Sequence, residues 1–414
     1  MNNFDRGWVL TCFGTAVGAG MLYLPTQVGP GGIWSVILLT LIIFPVTYVS
    51  HIGVTRIIAS CPKATDFVGA IEHDLGRTVG FTISILYFLS IVTACIGYST
   101  GLTNIIIDSF LVNQLHFVEV SRPLLTFIVL LCMTILLGNA RVMVIITSAT
   151  TFPLIILLFF VSAYLIPHWN LSSFYEPFTI KNFLKYTFLL LPLLVFAMNF
   201  SPVCSSLASF YRKEYKSIDE AVEHTDTVIK WTSILLLIFV MFFLLSVCLA
   251  STPEMLLGAC RTNKDALTTL SSTLSLAYNS PILQYVFPLV AFLAIASSYF
   301  GHFEGTRDGL NGIIIQLIAW KNPALKDKLN LGKMKMFSTV ALFAMIWFLS
   351  VCNLSILTIL KILSGPIVAI YAYLMPVVMM KRIPRLRIYR SKWAAFVFVM
   401  GICAIVGHYV GKIM

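Results

Sequence analysis

The sequence predicts an all-α membrane protein with about eleven transmembrane helices, set out as two five-helix repeats of opposite orientation plus one extra helix. Three observations predict it. Of 414 residues 58% are hydrophobic and 11% charged, with mean hydropathy +0.91, far outside the range of soluble domains. Runs of roughly 20 apolar residues, each long enough to cross a ~30 Å hydrocarbon layer, follow one another and leave no room for a soluble domain. The first and sixth runs are interrupted near their centres, the spacing expected if spans 1 to 5 and 6 to 10 are inverted copies.

The expected spans are residues 7–29, 33–59, 79–112, 123–138, 142–166, 185–211, 227–250, 281–304, 335–352, 354–380 and 393–412. A single polytopic domain, 1–414, then divides into a first repeat at 1–166, a second at 185–380 and an eleventh span at 393–412. With the N-terminus in the cytoplasm, 21 of the 28 Lys and Arg fall on the cytoplasmic side and 7 on the other. The positive-inside rule selects that orientation and leaves the C-terminus on the outer face. The loops Lys321 to Lys335 and Lys381 to Lys392 carry most of the bias, so the net charge of +11 is topological. It gives no argument for nucleic acid, because no separate basic domain is present to bind it. The bilayer is the expected partner, and nothing in the sequence speaks to oligomeric state.

Span 1 reads as a retained helix rather than a signal peptide, being too long, lacking a small-residue cleavage site and leading straight into span 2. Nine cysteines lie scattered with no CxxC pair and read as packing residues. Asp66 to Leu75 and Trp169 to Phe183 mix apolar and polar positions, as short surface helices or re-entrant pieces do.

The interruptions are the informative feature. Gly14 to Gly20, GTAVGAG, places three glycines in seven residues inside span 1, where a helix gains least from them. Unwound backbone at membrane depth is tolerated where protein or a water-filled cavity receives its N–H and C=O groups. In span 6, Asn199, Phe200, Ser201 and Pro202 break the apolar run, with Pro202 removing a donor and clashing with the preceding turn. Pro45, Pro153, Pro288 and Pro376 read as kinks of the kind many membrane helices carry.

Three motifs in order give a resemblance. Thr15 to Pro25, TAVGAGMLYLP, looks like the broken first helix of the leucine-transporter fold and, in particular, resembles the bacterial hydroxy and aromatic amino acid permeases. Tyr299 to Gly312, YFGHFEGTRDGLNG, and SGPIVA followed by LMP in span 10 resemble the serine and threonine permease branch. The similarity covers essentially the whole chain. It implies an inner-membrane secondary active transporter that imports a small neutral amino acid by alternating access, usually coupled to protons. It implies no cofactor beyond the coupling ion, and an amino acid as the small-molecule partner. A sodium-coupled or an aromatic amino acid permease is the alternative. A channel would need a continuous polar pore and a membrane enzyme a catalytic constellation, and the sequence offers neither, nor a transition-metal site.

An amino acid zwitterion needs an anion site and a cation site side by side. Ala19 and Gly20 open the second half of span 1, whose free N–H groups and positive dipole end suit a carboxylate. Thr15 and Ala16 close the first half, whose carbonyls, with Asn199 and Ser201, suit the ammonium. Gly18 and Gly20 let the backbone approach the ligand. Ser90, Thr93, Gly97, Gly101 and Asn104 form one small polar stripe on span 3, with Thr93 the expected side-chain contact and ordinary helix packing the alternative.

The resemblance further implies a cation held by Gly14 and Val17 of span 1 with Ser297 and Ser298 of span 8, which is where sodium enters as the physical alternative to the proton. Two serines that satisfy a backbone carbonyl in a packed helix are the plain alternative. Met21 stands where a second sodium would need an amide. The serine branch implies lysine at the place of Ser297, glutamate at Lys361 and histidine at Phe200, and the chain departs at all three. Lys361 is the one charge clearly inside a span, read as an outer gate or proton-responsive group, or as a side chain snorkelling to the interface. His302, Glu304, Arg307 and Asp308 cluster at the expected end of span 8 and read as an inner-gate network, with a solvated helix end as the alternative.

Overall fold

A computed structural model of the chain describes residues 1–29, 32–62, 66–112, 115, 119–136, 140–171, 174, 178–262, 264–271, 281–322 and 329–414. Among them there is no strand, and nine helices are long and apolar enough to cross a membrane, or ten if a bent pair counts as one span. Among the described residues the exact count of eleven is not confirmed. The fourth expected span is a helix of 14 residues, Arg122–Ile135, reaching about 21 Å and short of a full crossing. Part of the basic stretch between spans 8 and 9, 323–328, lies outside the described residues.

Helix α1 (Asn3–Ala16) opens with a reciprocal cap. Asn2 Oδ1 accepts the Asp5 N–H and Asp5 Oδ2 accepts the Asn2 N–H, each at 2.8 Å. It stops where the glycines begin. Val17 is extended (φ −77°, ψ 92°) and Gly18 lies outside the helical region (φ −147°, ψ −149°) before α2 (Ala19–Tyr23) resumes, the two halves bent by 44°. Helices α3 (Ile33–Ala59) and α4 (Phe67–Leu75) follow, the latter capped by Asp66 Oδ1 on the Gly69 N–H at 2.7 Å, which makes it the short helix expected at Asp66 to Leu75. Helix α5 (Arg77–Ile105) ends in a π-helical stretch, Ile106–Val112. After α6 (Arg122–Ile135) comes α7 (Ala140–Tyr164).

The sixth span is broken as expected. Helix α8 (Ile180–Ala197) ends at Met198, Phe200 is non-helical (φ −122°, ψ 17°), and a 3₁₀ turn at Ser201–Val203 leads into α9 (Cys204–Glu214). Pro202 supplies the cause, since it offers no N–H to a carbonyl one turn back. Helix α10 (Ile218–Ala250) and the short α11 (Pro253–Arg261) precede α12 (Pro281–Lys321), whose 41 residues extend well past the expected end at 304. Glu304 to Asp308 therefore sit inside a continuing helix. Helix α13 (Leu331–Val351), α14 (Ile356–Arg382) and α15 (Ala394–Ile413) complete the chain. Two π-helical stretches, Ile359–Ser364 and Ala369–Leu374, loosen α14, and Lys361 falls in the first.

Contacts sort the helix ends by side. Tyr211 Oη donates to Asp5 Oδ1 at 2.5 Å and His224 Nδ1 lies 3.0 Å from the same oxygen, so the starts of α1 and α10 and the end of α9 share one side. Arg56–Asp226 and Arg385–Asp74 ion pairs lie there too. Arg122 and Asn104 meet Asn353 on the opposite side. Lipid offers no hydrophobic drive between helices, so close packing holds the bundle.

Candidate functional site

The two breaks meet. A Cβ on Gly20 would lie 2.8 Å from Phe196 Cδ1 and 3.0 Å from Ala197 Cα, so α2 is seated on the end of α8 at van der Waals distance. Helix α12 runs under both breaks along one face. Ser298 packs on Gly18, Gly301 on Thr15 and Gly305 on Pro202, and a Cβ on Gly301 or Gly305 would collide with those neighbours. The spacing 298, 301, 305 is a helical stripe of small residues that lets α12 approach the irregular backbone. Every residue from Gly14 to Gly20 and from Asn199 to Val203 is buried.

At the first break Gly14 O accepts hydroxyl protons from Ser297 Oγ at 3.1 Å and Ser298 Oγ at 2.9 Å. The structure thus brings together Gly14, Ser297 and Ser298. It adds Thr151 of α7, whose Oγ1 would collide with a Cβ on Gly14 and has no hydrogen-bond partner among the described residues. Val17 donates its N–H to Phe13 O at 2.9 Å, closing α1. Thr15 Oγ1 donates to Thr11 O at 2.7 Å, one turn back along its own helix. Three hydroxyls and a carbonyl make an all-oxygen group, suited to a hard cation or to mutual hydrogen bonding.

At the second break the polar atoms form a network. Asn199 Oδ1 accepts from Ser201 Oγ at 2.7 Å and Ser201 N–H at 3.2 Å, and Ser201 Oγ lies 3.0 Å from Tyr371 Oη of α14. His51 of α3 completes it. Its Nε2 accepts the free N–H of Phe200 at 3.1 Å while Nδ1 donates to Thr47 O at 2.9 Å, and its ring stacks on Phe200 at 3.9 Å. The unwound backbone thereby finds its partners in side chains of neighbouring helices. His51 and Tyr371 were missed from sequence, although a histidine deep in an apolar run is itself a signal.

Other expected residues lie elsewhere. Thr93 Oγ1 bonds Leu89 O at 2.8 Å, Ser90 O at 2.9 Å and Ser364 Oγ at 3.1 Å, which turns it toward α14. Gly97 faces Ile356 and Leu360, so much of that stripe packs α5 on α14. Tyr98 is the α5 residue at the break, its ring beside Gly18. His302 is buried apart from Glu304 and Arg307, edge-on to Tyr98 at 4.9 Å and beside Phe196 at 6.0 Å. Glu304 and Arg307 pair with each other and, with Asp66 and Asp308, line a cavity of about 1210 Å³ on the N-terminal side. Lys361 Nζ donates to Gln27 Oε1 at 3.4 Å, tying α14 to the residues just after α2.

A smaller cavity of about 180 Å³ opens on the opposite side among Tyr23, Asp108, Arg122 and Asp265. Burial pushes the Asp265 carboxyl above the usual carboxylate range, against hydrogen bonds from Thr268 that pull it down. Cys61, His73 and Asp74 bring potential ligand atoms within 4.8 Å of one another, but Asp74 is already held by Arg385 and His73, as an ion pair would hold it.

A membrane bundle whose first and sixth helices are interrupted at one buried point belongs to the leucine-transporter class of fold. Solved structures agree on the fold. A manganese transporter of Eremococcus coleocola aligns over 98% of this chain and 85% of its own, with TM-score 0.62 and 14% identity. MhsT in complex with L-phenylalanine aligns over 98% and 97%, with TM-score 0.58 and 12% identity. The chain belongs to the Tryptophan/tyrosine permease family, whose profile matches residues 6–408. Among its relatives, the serine transporter SdaC of Escherichia coli (strain K12) is 32% identical over 97% of this chain and 93% of its own length. The threonine/serine transporter TdcC of Escherichia fergusonii is 30% identical over 94% and 90%. It is thus a multi-pass membrane protein of a permease family, as its motifs indicated.

Proposed function

We propose that the protein is a secondary active transporter that imports a small neutral amino acid, serine or threonine, by symport with a proton. The observation that carries this reading is the closure of the two interrupted helices on each other at Gly20, Phe196 and Ala197, in a chain whose relatives are named serine and threonine/serine transporters. Substrate carboxylate goes to the N–H groups of Ala19 and Gly20, and ammonium to the carbonyl end of α1 with Asn199. The rings of Tyr98, Phe196 and His302 crowd this point and favour a small side chain over the aromatic ones in the family's name. Residues 1–166 and 185–380 act as inverted repeats, with the N-terminus cytoplasmic and the C-terminus periplasmic in a bacterial inner membrane. Glu304, Arg307 and Asp308 then gate the cytoplasmic vestibule, and Lys361 the outer one.

Sodium coupling is the second reading, favoured by the oxygen group of Gly14, Thr151, Ser297 and Ser298. One experiment separates them. Uptake of a panel of labelled amino acids into proteoliposomes, with sodium present or absent and with the proton gradient collapsed, identifies substrate and ion together. Loss of serine accumulation on collapsing the proton gradient supports proton symport. Accumulation that persists without a proton gradient and requires sodium supports the second reading. Absence of saturable counterflow for every amino acid refutes the transporter itself.

A further inference from the structure

His302 stands in α12 one turn after Ser298, and only 1% of it is exposed. Its Nδ1 lies 3.0 Å from Ser298 O. A carbonyl only accepts, so Nδ1 carries the proton of this bond, and in the neutral ring Nε2 is a bare acceptor. That nitrogen has no hydrogen-bond partner among the described residues. A buried acceptor left unpaired costs about 1–3 kcal/mol, so a donor that reaches this nitrogen gains by pairing with it.

The surroundings say what donates. The imidazole is flanked by Tyr98 and Phe196, the same two rings that would meet a Cβ at Gly18 and at Gly20. His302 is therefore beside the meeting point of the two breaks, away from the Glu304–Arg307 pair. We propose that His302 Nε2 accepts the hydroxyl proton of the substrate side chain, making it the residue that selects hydroxy amino acids over their deoxy counterparts. This rests on the transporter reading above and adds to it a specificity device: the backbone of the breaks holds the groups all amino acids share, and His302 reads the one that serine and threonine have in addition. A pocket that pairs with a hydroxyl rejects the analogue lacking it, because the polar atom is then buried unpaired.

The test uses the full-length protein in proteoliposomes, with initial uptake of labelled serine against alanine and of threonine against 2-aminobutyrate. The native protein should prefer each hydroxy amino acid by about 10-fold or more in kcat/KM. His302→Leu should collapse both preferences toward unity, through a larger loss for serine than for alanine. His302→Gln, which restores an acceptor near the Nε2 position, should recover part of the preference. Parallel loss of serine and alanine in His302→Leu would make His302 a packing or gating residue and overturn the proposal. So would native uptake of alanine at the serine rate, a result that needs no variant and leaves the transporter reading standing. A native protein that carries no neutral amino acid would overturn both.

Discussion

Gly20→Val tests the meeting of the two breaks. Any Cβ at this position comes within 2.8 Å of Phe196 Cδ1 and 3.0 Å of Ala197 Cα. The phenyl ring can turn away, but the Ala197 backbone can give only if α2 lifts from the end of α8. Overpacking of this kind costs about 1–3 kcal/mol, and roughly 1 kcal/mol is recovered because a helix prefers Ala to Gly. Gly20→Ala should thus cost zero to about 2 kcal/mol, and valine, with two further methyl groups, should sit at or above the upper end. If that penalty falls on the closed state alone, about 2 kcal/mol lowers its population roughly 30-fold. Initial uptake of labelled serine should fall at least tenfold in Gly20→Val, with membrane yield and monodispersity close to native. Gly258→Ala is the control, since nothing lies within 4 Å of a Cβ there, and its uptake should match native. Native-rate uptake by well-folded Gly20→Val would show that the two breaks do not have to touch.

Three other outcomes follow from the same geometry. Ser298→Ala leaves Gly14 O with the Ser297 hydroxyl alone, a loss of about 0.5–1.5 kcal/mol; a changed sodium or proton dependence of uptake marks the oxygen group as the ion site, and unchanged dependence makes it packing. Lys361→Met removes the tie to Gln27 and should reduce accumulation or shift its pH profile, and identical transport from pH 5 to pH 8 would remove Lys361 from the mechanism. Tyr211→Phe removes a hydrogen bond to the buried Asp5 and should loosen the start of α1, read as faster alkylation of Cys12 by mass spectrometry, since Cys12 is fully buried in the native bundle. An unchanged rate would show that the α1 start is held without Tyr211.

Much of this architecture was legible because membrane depth makes broken helices conspicuous. Three glycines in GTAVGAG and a proline beside Asn199 and Ser201 violate the local rule for a spanning helix, and both breaks are where the chain breaks. The partners of the breaks were harder. Thr151, His51, Tyr98 and Tyr371 reach them from four other helices, and periodicity along one helix says nothing about which neighbour it faces. Thr93 illustrates the same limit: its hydroxyl turns toward Ser364 of α14, a neighbour that the small polar stripe on α5 does not name. His302, two residues from Glu304, points elsewhere on a regular helix, and its i+4 spacing from Ser298 puts it on the face that meets α1. The extent of the fourth span was less legible, because apolar composition does not reveal where a helix ends; the described helix runs Arg122–Ile135, and 137–139 lie outside the described residues.

Recognition of both charged ends of one ligand by peptide groups is the core of the account, and competition against labelled serine counterflow tests it most directly. Unlabelled serine should compete fully. Serine methyl ester, which lacks the carboxylate, and 3-hydroxypropionate, which lacks the ammonium, should each compete at least about 100-fold more weakly, because each leaves one set of buried backbone groups unpaired. Equal competition by either analogue would contradict it, since a site that ignores one end of the zwitterion is not built from the two helix breaks.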